Sequence, residues 1–162
     1  ILNRLGYDGK EYIQTAREFA ARWKQDALEE DHYKLAFDQN NSWSIKYNLV
    51  WDKLLNLGIF DEEIFKTEIN YYTGKINKYG LPLDSRSDYT KSDWQMWSVL
   101  MDTNENYQQE IIDAMWAMLN DTNDRVPFTD WYFSSTAVQR GFQNRTVQGG
   151  LFMPLLKNRL SE

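Results

Sequence analysis

The sequence contains no cysteine, a single histidine and only three prolines in 162 residues. Without cysteine there are no disulfides, thiolate metal sites or cysteine nucleophile, and the compartment stays open. The basic residues never gather into a run and the net charge is −6, so a nucleic-acid partner is not expected. No apolar stretch approaches the roughly 20 residues needed to span a bilayer. Nor does any repeat of fixed period emerge that would mark a solenoid. Zinc and calcium ligand spacings are missing too, so neither a metal nor another cofactor is expected. The chain starts at Ile1 in mid-pattern, without an initiator methionine or signal peptide, and reads as a piece of something larger.

What is present is a core-forming composition of about one domain: 42% hydrophobic and 15% aromatic residues. Helical spacing recurs six times. Residues 7–28 place Tyr12, Ala16, Phe19, Ala20, Trp23 and Ala27 on one stripe. Residues 45–55 are apolar nearly all round and stop before Gly58. From Asp61, an expected N-cap, Phe65, Ile69, Tyr72 and Ile76 form another stripe. A helix containing Trp94 to Met101, with Thr90 or Ser92 as cap, is again apolar on all sides. Thr103 is expected to cap a striped helix through Tyr107, Ile111, Met115 and Leu119, and a last apolar helix runs from about 148 to 160, with Pro154 either in or near its first turn or kinking it.

A helix apolar all round needs cover on every side, whereas a striped one needs it on one. The alternation predicts an all-α fold of outer and inner helices in an α/α toroid, with a simple bundle as the alternative. Three inner and three outer helices make about half of a six-hairpin toroid. The connections at residues 29–44, 78–89 and 121–147 are long and share parity, so all three are expected on one face, where the inner helices begin.

These connections hold the candidate chemistry. In the middle one, Asp84, Ser85, Arg86, Asp88, Lys91 and Asp93 lie between Tyr79 and Trp94. Crowded or enclosed carboxylates have raised pKa values and serve as general acids or bases, and Arg86 offers a bidentate donor for a carboxylate. Equally, Arg86 can pair with Asp84 or Asp88, and Asp93 can close a capping box with Thr90. The first connection offers Trp43 for binding, while His32, beside Glu29, Glu30 and Asp31, reads as a solvated residue. Lys46, Asn48 and Asp52 are polar on a helix read as buried, and a structural pair of Asp52 with Lys53 or Lys46 is expected there. The third connection contributes Asp130 beside Trp131, a carboxylate next to a flat apolar surface, and Arg145 and Gln148 reach toward the same space.

The runs Lys46-Tyr47-Asn48-Leu49-Val50-Trp51-Asp52-Lys53-Leu54-Leu55, Asn77-Lys78-Tyr79-Gly80-Leu81-Pro82-Leu83-Asp84-Ser85-Arg86, Tyr89-Thr90-Lys91-Ser92-Asp93-Trp94, Asp124-Arg125-Val126-Pro127 and Asp130-Trp131-Tyr132 resemble, in order, the C-terminal domain of the glutaminase A family. The resemblance spans essentially the whole chain. It implies a secreted, periplasmic or cell-surface hydrolase that converts L-glutamine to glutamate and ammonia, with a β-rich N-terminal region ahead of a six-hairpin toroid. On this view residues 1–162 are one all-α domain or domain fragment from the C-terminal part of a multidomain protein, partnered by the remainder of its own polypeptide. Asp84, Asp130, Ser85 and Asp93 are the candidate catalytic residues; Arg86, Asp88, Trp131, Trp43 and Arg145 are the candidates for holding a small-molecule substrate. The fold is shared with glycoside hydrolases, so a glycosidase using two of these aspartates, or a noncatalytic scaffold, is the rival reading.

Overall fold

A computed structural model describes residues 2–161; Ile1, read above as a mid-pattern start, and Glu162 lie outside the described residues. After a short 3-10 turn at Asn3–Leu5 comes helix α1 (Lys10–Ala27), then a two-strand hairpin of β1 (Leu28–Glu29) and β2 (His32–Tyr33). A 3-10 turn at Tyr47–Leu49 leads into α2 (Val50–Leu54), followed by α3 (Glu62–Thr73), β3 (Tyr89–Lys91), α4 (Ser92–Ser98) and α5 (Glu105–Asp121). Strands β4 (Thr129–Phe133) and β5 (Gln139–Gln143), a 3-10 turn at Thr146–Phe152 and α6 (Met153–Ser161) complete the described chain.

The all-α toroid expectation is overturned: among the described residues about half are helical, and five strands form two small antiparallel sheets. The larger sheet has the order β3-β4-β5, with Tyr89 opposite Phe133, Lys91 opposite Trp131 and Trp131 opposite Gly141. Its central strand, Thr-Asp-Trp-Tyr-Phe, combines a β-branched residue with three aromatics, which suit a pleated, half-buried surface. Gly141 lets the Trp131 ring lie directly on the neighbouring strand, where a Cβ would come within 3.2 Å of it. Neither residue read as capping α4 does so: Thr90 lies in β3, Ser92 is already the first helical residue, and Lys91 occupies the N-cap position.

The amphipathic stripes of α3 and α5 do form the core. Phe65, Ile69, Tyr72, Tyr107, Ile111 and Met115 are buried together with Val50, Leu81 and Met101. Asn104, not Thr103, caps α5 by accepting from the Tyr107 N–H at 3.1 Å. Asp61 sits at the N-cap of α3, but its carboxylate turns to Lys24. Helix α1 is held mainly by its second half: Ala20 and Ala27 are buried and Trp23 stacks on Tyr33, while Tyr12 and Phe19 face outward. The helix expected over residues 45–55 shrinks to a 3-10 turn and five α-helical residues. Helix α6 buries Met153 yet exposes Leu155, Leu156 and Leu160, and Phe152 just ahead of it is exposed as well. Pro154 falls at the second residue of α6, where no helical N–H is lost.

Candidate functional site

The three long connections are stitched to one another by backbone hydrogen bonds. Ile45 N–H donates to Leu83, Ser85 N–H to Trp43, Tyr79 N–H to Ser134 and Ser134 N–H to Asp88, at 2.7 to 3.0 Å. Side chains reinforce the seam: Ser85 Oγ accepts from Trp43 N–H at 3.2 Å, and the Ser134 and Ser135 hydroxyls donate to the Asp88 carbonyl and carboxylate. The rim they build is therefore fixed in shape before any ligand arrives.

Asp84 and Arg86 stand at the centre of this rim. Asp84 Oδ1 accepts from the Arg86 backbone N–H and from Nε, both at 2.9 Å, and Oδ2 accepts from Nη2 at 2.8 Å. Burial pushes the Asp84 carboxyl up, but the hydrogen bonds and charge of Arg86 outweigh it and hold the group below the usual carboxylate range. The Arg86 side chain remains 64% exposed, so the guanidinium is anchored on one edge and open on the other.

A cleft of about 490 Å³ opens on one side of this pair, lined by Trp43, Lys75, Asn77, Asp84, Ser85, Arg86, Ser87 and Asp88 among others. On the other side lies a cleft of about 430 Å³ with a more apolar wall of Trp23, Leu35, Tyr47, Phe60, Leu83 and Trp94, to which Asp84 and Arg86 also contribute. Five of the nine residues singled out in the sequence thus line the first cleft: Trp43, Asp84, Ser85, Arg86 and Asp88. Of these, Trp43 is buried against Tyr71 and Tyr72, and Ser85 is exposed.

The other four gather elsewhere. Asp130 is fully buried and bridges Lys91 Nζ at 2.9 Å and the Arg145 fork at 3.1 Å, joining β3, β4 and the segment before α6. Lys91 Nζ also lies 4.0 Å from the Phe142 ring centre, and Phe142 stacks on Trp131. Asp93 is buried nearby with Oδ1 lacking a hydrogen-bond partner; burial pushes its carboxyl up, Asp130 adds to the rise, and Lys91 opposes it. No cleft residue touches this cluster through the hydrogen bonds that hold it, which makes it a tie between sheet and helix.

Other polar residues take structural places. His32 is buried rather than solvated: its ring stacks on Tyr71 at 4.2 Å and Nε2 lies 3.2 Å from the Ser42 carbonyl. Asp52 pairs with neither lysine; its carboxylate accepts from the Ile59 and Phe60 N–H groups and fixes the turn ahead of α3. Lys46 instead lies 3.6 Å from Glu68, and its ammonium donates to the Tyr33 and Ser44 carbonyls at 2.8 and 3.0 Å. Glu68 escaped notice in the sequence because it sits among polar neighbours on α3; its one signal was its place beside Ile69 in the buried stripe. Burial pushes Glu68 up and Lys46 down, each against the pull of the other. Gln148 donates to the Phe128 carbonyl at 2.9 Å. Among the described residues no group of His, Asp and Glu is placed to hold a metal ion, and no helix is long and apolar enough to cross a membrane.

A family model described as the glutaminase A six helical-hairpin domain matches residues 1–155. The chain belongs to this family. Glutaminase A of Aspergillus oryzae is 28% identical over 165 residues, covering 96% of this chain and 24% of the relative. A protein of Arthroderma benhamiae named a probable glutaminase is 27% identical over 179 residues, covering 90% of this chain and 20% of the relative. The chain thus spans between a fifth and a quarter of the length of these relatives. No solved structure matches it.

Proposed function

We propose that this domain forms part of the substrate site of a glutamine-hydrolysing amidohydrolase. The observation that carries the reading is the convergence of Asp84, Ser85, Arg86 and Asp88 on one cleft in a chain of the glutaminase A family. The open edge of the Arg86 guanidinium takes the α-carboxylate of L-glutamine, and Asp84 positions that fork. Asp88 is the better candidate to orient the attacking water, because both oxygens of Asp84 are committed to Arg86 and Asp130 is sealed between Lys91 and Arg145. Water then adds to the γ-amide carbon, the C–N bond breaks, and ammonia leaves with a proton from the water. No histidine lies beside Ser85 to activate it, which favours direct water attack. The reading carries with it a secreted, periplasmic or cell-surface location, which cell fractionation of a tagged protein tests.

The deciding assay gives the full-length protein L-glutamine beside a panel of glycosides. Ammonia release that depends on Arg86 and Asp88 supports the reading. Reducing-sugar release without ammonia overturns it in favour of a glycosidase.

A further inference from the structure

We infer that the second, aromatic cleft is a binding site for a small aromatic carboxylate, with the carboxylate on the open edge of Arg86 and the ring against the aromatic wall. Asp84 takes two of the guanidinium N–H groups, one from Nε and one from Nη2. A guanidinium carries five, so Nη1 and the second Nη2 hydrogen still present a planar fork that matches a carboxylate. Arg86 lines both clefts, and its side chain is 64% exposed, so a ligand can approach this fork from either side. Glutamine uses it from the polar side. A ligand whose body is an aromatic ring uses it from the other.

The cleft of about 430 Å³ falls in the range that encloses drug-sized ligands. Its wall is set before anything binds. Tyr47 and Trp94 stack on each other at 4.1 Å and 7°, while Trp23 stacks on Tyr33 and meets Phe60 edge to face. All four cleft aromatics, Trp23, Tyr47, Phe60 and Trp94, are half-buried, so neighbours hold them while part of each surface stays available, and little ordering remains to oppose binding. The charges favour a single negative group. The Lys46 ammonium at this cleft is spent on the Tyr33 and Ser44 carbonyls and the Ser44 hydroxyl, with Glu68 3.6 Å away. One open fork beside the Asp84 carboxylate suits a monoanion and disfavours a dianionic phosphate. Because the same fork cannot hold two carboxylates in this way at once, an aromatic acid seated here excludes glutamine. The site itself needs only Arg86 and the aromatic wall, and so stands apart from the chemistry proposed for the polar cleft.

The test is calorimetric titration of the full-length protein and its Arg86→Ala, Trp94→Ala and Trp94→Phe variants with 2-naphthylacetate, with the neutral alcohol 2-(2-naphthyl)ethanol as control. The expected Kd of the acid is below about 1 mM. Binding should weaken at least about tenfold for the alcohol, and for the acid in Arg86→Ala and in Trp94→Ala, whereas Trp94→Phe, which keeps an aromatic face, should stay within about threefold of the wild type. The acid should also raise the KM for glutamine with kcat unchanged. No saturable binding up to about 10 mM, equal affinity for the alcohol, or undiminished binding in Trp94→Ala overturns the inference, and inhibition that lowers kcat at constant KM overturns the shared fork. Binding as expected without ammonia release from glutamine upholds this site and overturns the function proposed above; ammonia release without binding of the acid does the reverse.

Discussion

Asp84 receives three hydrogen bonds from Arg86, one from the backbone and two from the guanidinium, within a span of two residues. A carboxylate used in this way acts through the arginine it orients. Arg86→Ala in the full-length protein is therefore expected to raise the KM for glutamine by about 10- to 100-fold, the worth of a charge-assisted bidentate contact, with a smaller change in kcat. Arg86→Lys should not restore it, because an ammonium cannot bind Asp84 and a ligand carboxylate through one planar fork. Asp84→Asn should raise KM in the same direction but less. Unchanged steady-state kinetics in Arg86→Ala would remove it from substrate binding.

Asp130 is the sole anion joining buried Lys91 to Arg145 in their hydrogen-bonded cluster. Asp130→Ala removes the carboxylate that accepts from the Lys91 ammonium, leaving it among Trp131, Phe142 and Trp94 with Asp93 as the charge still facing it, and is expected to cost about 3 kcal/mol in urea unfolding. Arg145→Met should cost less, since its side chain is 38% exposed and water can replace part of the contact. Equal costs for the two variants would show that burial of Lys91 is not what makes the triad matter.

Asp93 supplies a pH prediction. Its folded-state pKa is raised, by burial first and Asp130 second, with Lys91 facing it as the opposing charge. The folded state therefore holds its proton more tightly than the unfolded state. Its favourable contribution is present below the ordinary carboxylate pKa and is lost as pH rises through the raised value. Asp93→Asn removes that loss, so its melting temperature should exceed that of the wild type at about pH 8 and converge with it near about pH 4. Asp84 has the opposite sign: its lowered pKa means that its contribution is present at neutral pH and disappears on acidification. Thermal melts across the pH range separate the two.

Gly80 has φ +133°, and a Cβ there would collide with the Gln95 carboxamide. That carboxamide accepts from the Leu81 N–H at 3.1 Å and donates to the buried Tyr132 hydroxyl at 2.6 Å. Gly80→Ala is expected to destabilise by at least about 1–3 kcal/mol, from overpacking together with a positive φ, read as a lower denaturant midpoint at unchanged m-value. A loss below about 0.5 kcal/mol would mean that Gln95 yields freely.

What the sequence revealed depended on the kind of contact involved. The stripes of α3 and α5 were legible because burial on one side of a helix writes a 3.6-residue period into residues such as Phe65, Ile69, Tyr107 and Ile111. The β3-β4-β5 sheet was not, because its strands are three to five residues long and β3 pairs with β4 across forty or more positions. Local periodicity carries no trace of such a partner. Helix α6 departs from the expected inner helix because a run of Leu, Phe and Met resembles a core segment whether or not anything covers it; here Leu155 and Leu156 are left open. The Asp84–Arg86 pair was foreseeable as one of two choices, since their spacing permits it, but that the pair divides two clefts depends on Trp43 and Trp94 arriving from elsewhere.

The seam between the long connections also governs where this chain tolerates extra residues. Length usually marks a connection as permissive, yet residues 78–89 place their backbone N–H and carbonyl groups into bonds with Trp43, Ile45 and Ser134. A peptide spliced into that segment would pull apart three regions at once. The shorter junction at Asp102–Asn104 is engaged mainly with the start of α5 and exposes Thr103, so a tag or reporter is best inserted there.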